Sequence, residues 1–291
     1  MHWQGLREQA AIATGNFSKL FGKMEIPPLP KVASRLVQMC DDEEANIGEI
    51  AKLVSSDAGI SSKILRTVNS AYVGFHRKIP DVREAVWRLG LSQTQSLALG
   101  YSAAAVLPKP QGNFDHEAFW QCSLQRAVFA ETLASEIARG AEGGAFTGAL
   151  LQDMALPILL AQWGKYYRPV IDLAASSGRD LAQVEEEQLS WTHPQAGAWM
   201  AGSWGLPDVL VCCIGLHHAT PQELAALDLA DSPVMAVAVS SRIPDTQPIC
   251  CGTLGLGEEK YLQLCESTDL VCTQLAAVFG VSRPKPLLDP D

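Results

Sequence analysis

The chain has 291 residues, a length that accommodates about two domains of ordinary size or one large domain. Hydrophobic residues make up 47% of it and charged residues 19%, and this composition excludes intrinsic disorder as the main state. Its 22 basic and 32 acidic residues give a net charge of -10, which disfavours general binding to nucleic acids and to anionic membranes.

Neither a membrane span nor a secretion signal is predicted. The most apolar stretch, residues 146–163, is interrupted by Gln152, Asp153 and Pro157 and is too polar to cross a bilayer. The N-terminus lacks a basic region followed by an apolar block. We therefore expect a cytoplasmic protein.

The eight cysteines of the chain form no C-x-x-C pair and are expected to be mostly reduced, buried thiols.

Apolar residues recur at helical spacing almost throughout the chain, which predicts an all-α fold. The first predicted helix follows Pro30 and places Leu36 and Met39 on one face, with a polar stop at 41–44. A break in the helical pattern is predicted at 69–74. Four further helices precede Pro108, and their predicted starts are Asn46, Asp57, Asp81 and Ser92.

The segment 108–113 combines prolines, a glycine and polar residues, and it is the best candidate for a linker between two helical subdomains. From Pro221 onward the helical pattern is weaker, and 234–239 fits a strand or a helix equally well. Between these two points, helices are predicted at 115–139, at 146–163, at 181–189, after His193 and after Pro207.

Asp153 and three histidines are the strongest candidates for chemistry. Asp153 lies within the predicted apolar helix, where a buried carboxylate needs a partner or a metal ion. Together with His193, His217 and His218 from other helices, it could hold a divalent ion that activates water for attack on a phosphoester. The alternative is that Asp153 bonds a helix start or a hydroxyl, and that His217 and His218 are ordinary surface or capping residues.

Two other patterns have ordinary explanations. The acidic run 185–187 is predicted to be a solvated helix face. The helices at 47–54 and 60–68 superficially resemble a helix-turn-helix, but the second one offers only Lys63 and Arg66 to a DNA groove. Packing within the subdomain is therefore favoured over DNA recognition.

Several short motifs follow one another in a recognisable order. In the first half they are Ile26-Pro27-Pro28-Leu29-Pro30, Ser56-Asp57-Ala58-Gly59-Ile60, Asn69-Ser70-Ala71 and Ala85-Val86-Trp87-Arg88-Leu89-Gly90. In the second half they are Trp120-Gln121-Cys122-Ser123-Leu124, Ala149-Leu150-Leu151-Gln152-Asp153-Met154, Thr192-His193-Pro194-Gln195-Ala196-Gly197, Trp204-Gly205-Leu206-Pro207 and His217-His218. In number and order, over about two thirds of the chain, they resemble the HDOD domain, a relative of the HD phosphohydrolases.

HD-type enzymes, as this resemblance implies, hold metal ions with an early histidine, a His-Asp pair, later histidines and a late aspartate. The corresponding residues here are Cys122, the pair Gln152 and Asp153, the histidines His193 and His217, and a late position near Ser240 or Ser241. The neutral amide of Gln152 is a poor ligand for a transition metal. A serine in place of the late aspartate removes a negative charge and an oxygen that could bridge two ions. The resemblance therefore implies no phosphohydrolase activity and no catalytic residues. A remnant site of Asp153, His193, His217 and Cys122 would still suit a residual divalent metal such as zinc.

The resemblance also implies an organisation and a role. The predicted parts are an N-terminal extension (1–23), an N-terminal helical subdomain (24–108), a degenerate HD-like helical bundle against which that subdomain packs (109–225), and a C-terminal helical extension (226–291). The implied role is bacterial signal transduction through contacts with signalling proteins or ligand sensing, with no cofactor expected and no membrane or nucleic-acid partner. The alternatives are a metal-dependent phosphohydrolase acting on a nucleotide or cyclic dinucleotide, and a DNA-binding regulator.

Overall fold

The computed structural model describes residues 25–40, 46–69, 78–112 and 114–288, and within them the regular elements are all helices. The predicted all-α fold is confirmed. The predicted extension at 1–23, the polar stop at 41–44 and most of the predicted break at 69–74 lie outside the described residues.

The described helices lie on both sides of the linker segment, and the five that the sequence predicts before it are all present. Those before the linker segment are α1 (Lys31–Cys40), α2 (Ile47–Ser55), α3 (Ala58–Val68), α4 (Val82–Leu89) and α5 (Leu91–Val106). Those after it are α6 (His116–Ile137), α7 (Glu142–Leu151), α8 (Ala155–Ser177), α9 (Leu181–Leu189), α10 (His193–Ser203), α11 (Asp208–Gly215), α12 (Pro221–Ala226), α13 (Pro233–Ser240) and α14 (Glu258–Phe279), with a short π-helix at Pro248–Thr253. The ambiguous segment 234–239 is therefore helical and belongs to α13.

Three of the four predicted helix starts are confirmed. The side chains of Asn46, Asp57 and Asp81 each accept a hydrogen bond from the backbone N–H three residues later, at 3.1, 3.0 and 2.9 Å. The prediction for Ser92 is wrong, because α5 begins one residue earlier, at Leu91, directly after Gly90. Gly90 has a φ of 78°, a conformation that glycine adopts without steric cost, so this residue ends α4 and opens α5.

The predicted apolar helix 146–163 is interrupted at Asp153. Helix α7 ends at Leu151, α8 begins at Ala155, and Gln152, Asp153 and Met154 form a turn between them. The interpretation of Asp153 as a residue within a helix is therefore wrong. Pro157 lies in the first turn of α8, where proline lacks only an N–H that has no partner within the helix.

One hydrophobic core joins the described helices. A continuous cluster of buried apolar side chains extends from Ala33 to Val278 and includes residues on both sides of the 108–113 segment. Helix α6 packs along α7, α13 and α14 and so lies at the centre of this core. A small separate cluster of Val170, Ala174 and Val184 fastens α9 to the second half of α8. The predicted subdomains thus share a core, and their exact boundaries stay a prediction.

The close approach of α7 to α11 depends on Gly148. A Cβ atom placed on Gly148 would lie 2.5 Å from the Cβ of Cys213, much closer than two packed carbon atoms approach. We therefore expect Gly148→Ala to lower the free energy of unfolding by about 1 to 3 kcal/mol, although alanine favours helix more than glycine does. Urea unfolding of the purified variant measures this change.

Gly144 supplies the matched control, since it lies on the same helix and a Cβ there would meet nothing within 4 Å. Gly144→Ala is expected to be neutral or to stabilise the protein by up to about 1 kcal/mol. Equal stabilities of the two variants would contradict the close approach of α7 and α11.

One segment of the described residues, Glu142–Ser177, is long and apolar enough to be considered as a membrane span. It comprises α7, the turn after it and α8, and 83% of its most apolar window is buried inside the fold.

Seven cysteines are free thiols. They are buried at Cys212, Cys213, Cys250, Cys265 and Cys272, partly buried at Cys251 and exposed at Cys122.

A buried cluster of histidines and carboxylates

The turn between α7 and α8 places the Asp153 carboxylate among buried and partly buried polar side chains from α6, from the start of α10 and from the segment after α11. Asp153 is only 7% exposed. Its Oδ2 atom accepts hydrogen bonds from the Arg126 guanidinium on α6 and, at 3.3 Å, from the amide nitrogen of Gln152. Its Oδ1 atom lies 3.3 Å from Nε2 of His193 and 3.4 Å from Nε2 of His217. Both carboxylate oxygens therefore have neighbours from the protein.

His193 begins α10, and the local sequence fixes it there. Thr192 and Gln195 form a reciprocal capping box, and Pro194 follows in the first turn of the helix, where proline is favoured. The Nδ1 atom and the backbone N–H of His193 both lie 2.7 Å from Oε2 of Glu185. The imidazole thus bridges Glu185 on one side and Asp153 on the other.

Glu185 is the main residue of this cluster that the sequence analysis missed. The prediction of a solvated face for the acidic run is wrong at this position, because Glu185 is completely buried and its Oε1 atom accepts a hydrogen bond from the Tyr167 hydroxyl. The spacing of residues along α9 could have indicated that Glu185 is buried. Glu185 lies four residues from both Leu181 and Leu189, and so shares their face of α9.

His217 and His218 follow the end of α11. Nδ1 of His217 lies 2.7 Å from the Ile214 carbonyl oxygen, which can only accept, so this nitrogen carries the hydrogen. Nδ1 of His218 lies 3.1 Å from Oδ2 of Asp180, the residue that caps α9. The Ser241 hydroxyl donates to the His217 carbonyl at 2.7 Å, so the end of α13 holds this segment in place.

Burial and neighbouring charges give the titratable side chains of the cluster different protonation states. Burial raises the pKa of Asp153, but the Arg126 guanidinium and, after it, His193 outweigh burial and hold that pKa well below its ordinary value. Burial lowers the pKa of His193, but Asp153 and Glu185 outweigh it and raise that pKa to about 9. Burial lowers the pKa of His217 to about 4, against the opposing effect of Asp153. At neutral pH, Asp153 is ionised, His193 is an imidazolium and His217 is neutral.

The three histidines fit one transition-metal ion. One ring nitrogen from each of His193, His217 and His218 lies within 4.8 Å of the others. Each Nδ1 atom contacts an acceptor of the protein, which leaves Nε2 as the nitrogen that could bind metal, as is usual for metal-ligating histidines. Nε2 of His217 is buried, and within the described residues it has no aligned hydrogen-bond partner.

The same surroundings do not fit a second ion. The Arg126 guanidinium already occupies one side of Asp153, and Gln152 contributes a neutral amide where an HD enzyme has histidine. At the late position, the Ser240 and Ser241 hydroxyls donate to backbone carbonyls, so neither side chain provides an anionic ligand. Among the described residues, these positions therefore offer no second carboxylate beside Asp153 to bridge two ions.

The structure brings together three of the four predicted remnant ligands, Asp153, His193 and His217, and adds His218. It does not place Cys122 in the histidine group. Cys122 is exposed on α6, one turn before Arg126, and lines a separate groove of about 330 Å³ together with Phe119. Arg126 therefore contacts Asp153 from the helix on which Cys122 was predicted to act. Metal binding by the remaining residues stays a prediction.

Comparison with known proteins gives relatives of the same family. The family model of the HDOD domain matches residues 26–220. An uncharacterized protein of Treponema pallidum (strain Nichols) is 23% identical over 198 residues, which make up 68% of this chain and 38% of that protein. The aligned region thus spans little more than a third of this curated relative.

Solved structures share the fold over nearly the whole chain. An HDOD domain protein of unknown function from Geobacter sulfurreducens has a TM-score of 0.65 at 20% identity, covering 94% of this chain and 96% of its own. A Shewanella amazonensis SB2B protein provisionally named a phosphohydrolase has a TM-score of 0.63 at 18% identity, covering 92% and 93%. A Marinobacter aquaeolei VT8 protein provisionally named a signal transduction protein has a TM-score of 0.67 at 22% identity, covering 96% and 67%.

At these identities the solved structures establish the fold alone, while the family model matches well over half of the chain. The matched region contains every member of the cluster, from Arg126 and Asp153 to His218. The chain belongs to the HDOD domain family.

Proposed function

We propose that this chain is a non-catalytic signal-transduction module of the bacterial cytoplasm, which acts through contacts with signalling proteins or by sensing a ligand and turns over no substrate. The observation that carries this proposal is the ion pair between Arg126 and Asp153. The Arg126 guanidinium lies against the one acidic residue that the HD-type pattern retains. It supplies the positive charge that a metal ion would otherwise bring to this carboxylate.

Phosphoester hydrolysis by a two-ion centre needs anionic ligands that offset the charge of both cations and a bridging oxygen between them. Asp153 has its Oδ2 atom engaged by Arg126 and Gln152, and its Oδ1 atom next to two imidazoles. Glu185 is directed at His193 and Tyr167 instead. The charges of the cluster thus balance one another without an added cation.

The names of two relatives are consistent with either role, since one is provisionally called a signal transduction protein and the other a phosphohydrolase. The DNA-binding alternative is disfavoured by α3, whose Ile60 and Ile64 are buried in the core and whose neighbouring charges include Asp57. The net charge of -10 also opposes contact with phosphate backbones and anionic lipids.

A specific observation favours a second candidate, a hydrolase with a single metal ion. His217 has a buried Nε2 atom without an aligned partner, and His193 and His218 lie beside it with their Nδ1 atoms held by carboxylates. These three imidazoles would hold the ion. A bound transition metal such as zinc would supply a Lewis acid and lower the pKa of a water molecule.

Metal analysis combined with a phosphodiesterase assay separates the two candidates. The protein is purified without chelators, its metal content is measured, and turnover of a generic phosphodiester is followed with added Mn²⁺. We expect no turnover above that of Asp153→Ala, because the cluster lacks the ligands of a hydrolytic centre. Asp172→Ala, which removes an exposed carboxylate of α8, is the matched control.

Stoichiometric metal together with turnover that is lost in Asp153→Ala and kept in Asp172→Ala would overturn the proposal. Bound metal without turnover would leave the module non-catalytic and assign the histidines a structural or sensory ion.

A further inference from the structure

A cleft of about 590 Å³ lies where the two halves of the fold meet. It is bounded by α3, the end of α5, the segment after it, the first turns of α6 and the end of α14. Sites for small molecules usually have volumes of about 300 to 1,000 Å³ and prefer such junctions between structural units. None of the lining residues belongs to the histidine cluster, so this cleft is a separate feature of the molecule.

The cleft is locally basic in an acidic protein. Lys63 and Lys109 line it, and within the described residues neither ammonium group has a carboxylate within 4 Å. The acidic lining residue is Glu117, and its Oε1 atom already accepts the backbone N–H and the hydroxyl of Ser282, at 3.2 and 2.5 Å. Two ammonium groups and one carboxylate, which is already hydrogen-bonded to Ser282, thus line the cleft. The chain as a whole has a net charge of -10.

The position of Lys63 suits an anionic ligand. Its Nζ atom lies 5.5 Å from the centre of the buried Tyr101 ring, and burial lowers the pKa of the amine, while the charge of Asp57 opposes that shift in part. An anion bound beside Lys63 would stabilise its charged form and so offset the cost of burial.

Part of the remaining wall is aromatic, beside the aliphatic side chains of Ala104, Ala105, Leu107 and Val281. Trp120 and Phe279 line the cleft with their ring centres 6.4 Å apart. The indole N–H of Trp120 donates to Nε2 of His116 at 3.1 Å, which places the hydrogen of the neutral imidazole on Nδ1. The cleft therefore combines two cations, an imidazole, and two aromatic rings against which a flat group could pack.

We propose that this cleft binds a small organic anion in which a phosphate or carboxylate group is attached to a planar ring. Lys63 and Lys109 bind the anionic group, and the ring packs against Trp120 and Phe279. Such a ligand contacts α3, α6 and α14 together and so stabilises the arrangement of the two halves of the fold. This inference does not rest on the proposed function, because it involves no residue of the histidine cluster.

Calorimetric titration of the full chain with three probes tests the proposal. Adenosine 5′-monophosphate carries a ring and a phosphate, indole-3-carboxylate carries a ring and a carboxylate, and inorganic phosphate carries no ring. We expect one of the two ring-bearing anions to bind with a stoichiometry of one, and inorganic phosphate to bind about tenfold more weakly or not at all. Which ring-bearing anion binds more tightly distinguishes the phosphate from the carboxylate source.

Lysine variants locate the binding. Lys63→Met and Lys109→Met are each expected to weaken binding by about tenfold, because each removes one charge-assisted hydrogen bond. Lys165→Met is the matched control, since Lys165 also contacts an aromatic ring but is exposed on α8, outside the cleft. Lys109 is exposed, so its removal leaves the core intact even if the Lys63 variant folds poorly. Asp153→Ala is expected to keep the affinity.

The proposal is overturned if neither ring-bearing anion binds at millimolar concentration, or if both cleft variants retain the affinity of the parent chain. Inorganic phosphate binding as tightly as the ring-bearing probes would also overturn it, since the cleft would then hold an adventitious ion only.

Discussion

Glu185→Ala is expected to lower the free energy of unfolding by about 3 to 5 kcal/mol, the range for removing one partner of a buried ion pair. Glu185 is completely buried, and its two oxygens accept from the Tyr167 hydroxyl, the His193 imidazole and the His193 backbone N–H. The alanine variant leaves these three donors without acceptors in the protein interior. Urea unfolding followed by circular dichroism measures the loss.

Glu185→Gln separates the charge from the hydrogen bonds. Its amide oxygen can accept from His193, and its NH₂ group can donate to Tyr167, because a hydroxyl accepts as well as donates. We expect a smaller loss of stability than in the alanine variant. We also expect a fall in the pKa of His193 from about 9, measured by NMR titration of the ring, because Glu185 is one of the two carboxylates that raise it.

The stability change of Glu185→Gln also has a defined pH dependence. The pKa of His193 is raised in the folded state, from an ordinary value of 6.5 to about 9. Its protonation therefore stabilises the parent protein fully below pH 6.5, and this stabilisation disappears as the pH rises through 9. The difference between the parent and the glutamine variant should shrink over that interval.

The exposed neighbour Glu186 provides the control, since it lies on the same helix one residue away. Glu186→Ala is expected to change stability by less than about 0.5 kcal/mol, as for most surface substitutions. An equally small effect of Glu185→Ala would show that Glu185 does not hold His193 in the cluster.

Sequence reasoning located the five helices before the linker segment from their apolar periodicity, and at three of them a side-chain cap marked the start. The caps at Asn46, Asp57 and Asp81 are local interactions that three or four residues define. The errors arose where tertiary contacts or backbone conformation decide. At Gly90 the positive φ starts α5 before the capping pattern of Ser92 can do so. At Asp153 a turn interrupts an apolar stretch whose composition alone predicts one helix.

The candidate site was only partly predictable for a related reason. Asp153 could be singled out as a carboxylate within an apolar stretch, and His193 and His217 as histidines near helix ends. All three also match family motifs. Arg126 gives no comparable signal, since it lies within the long helix α6 and its ion pair spans 27 residues. Cys122 was assigned to the site because the order of the motifs puts it at the early ligand position. In the structure it is Arg126, one turn later on α6, that contacts Asp153.

Arg126→Met is expected to lower the free energy of unfolding by about 3 kcal/mol, because it leaves the buried Asp153 carboxylate without its guanidinium partner. The methionine keeps most of the hydrophobic contact that the arginine side chain makes along α6. Arg139→Met is the control, since Arg139 is an exposed arginine just beyond the end of the same helix. Chemical unfolding of both variants measures the difference.

A double-mutant cycle shows whether the loss comes from the pair. In Arg126→Met with Asp153→Asn, the carboxylate charge that lacks a partner is gone. We therefore expect the double variant to be more stable than the sum of the single changes predicts, by about 1 kcal/mol or more. Strictly additive losses would show that Arg126 and Asp153 do not act together, and the argument for an internally neutralised cluster would fail.

Zinc titration of the same variant connects this pair to function. If Arg126 takes the place of a cation beside Asp153, its removal frees Oδ2 for a metal ion while His193, His217 and His218 remain in position. Zinc should then raise the melting temperature of Arg126→Met more than that of the parent chain, because a ligand that binds only the folded state stabilises it by mass action. An equal rise in both proteins would mean that the guanidinium does not exclude metal, and the non-catalytic assignment would lose its physical basis.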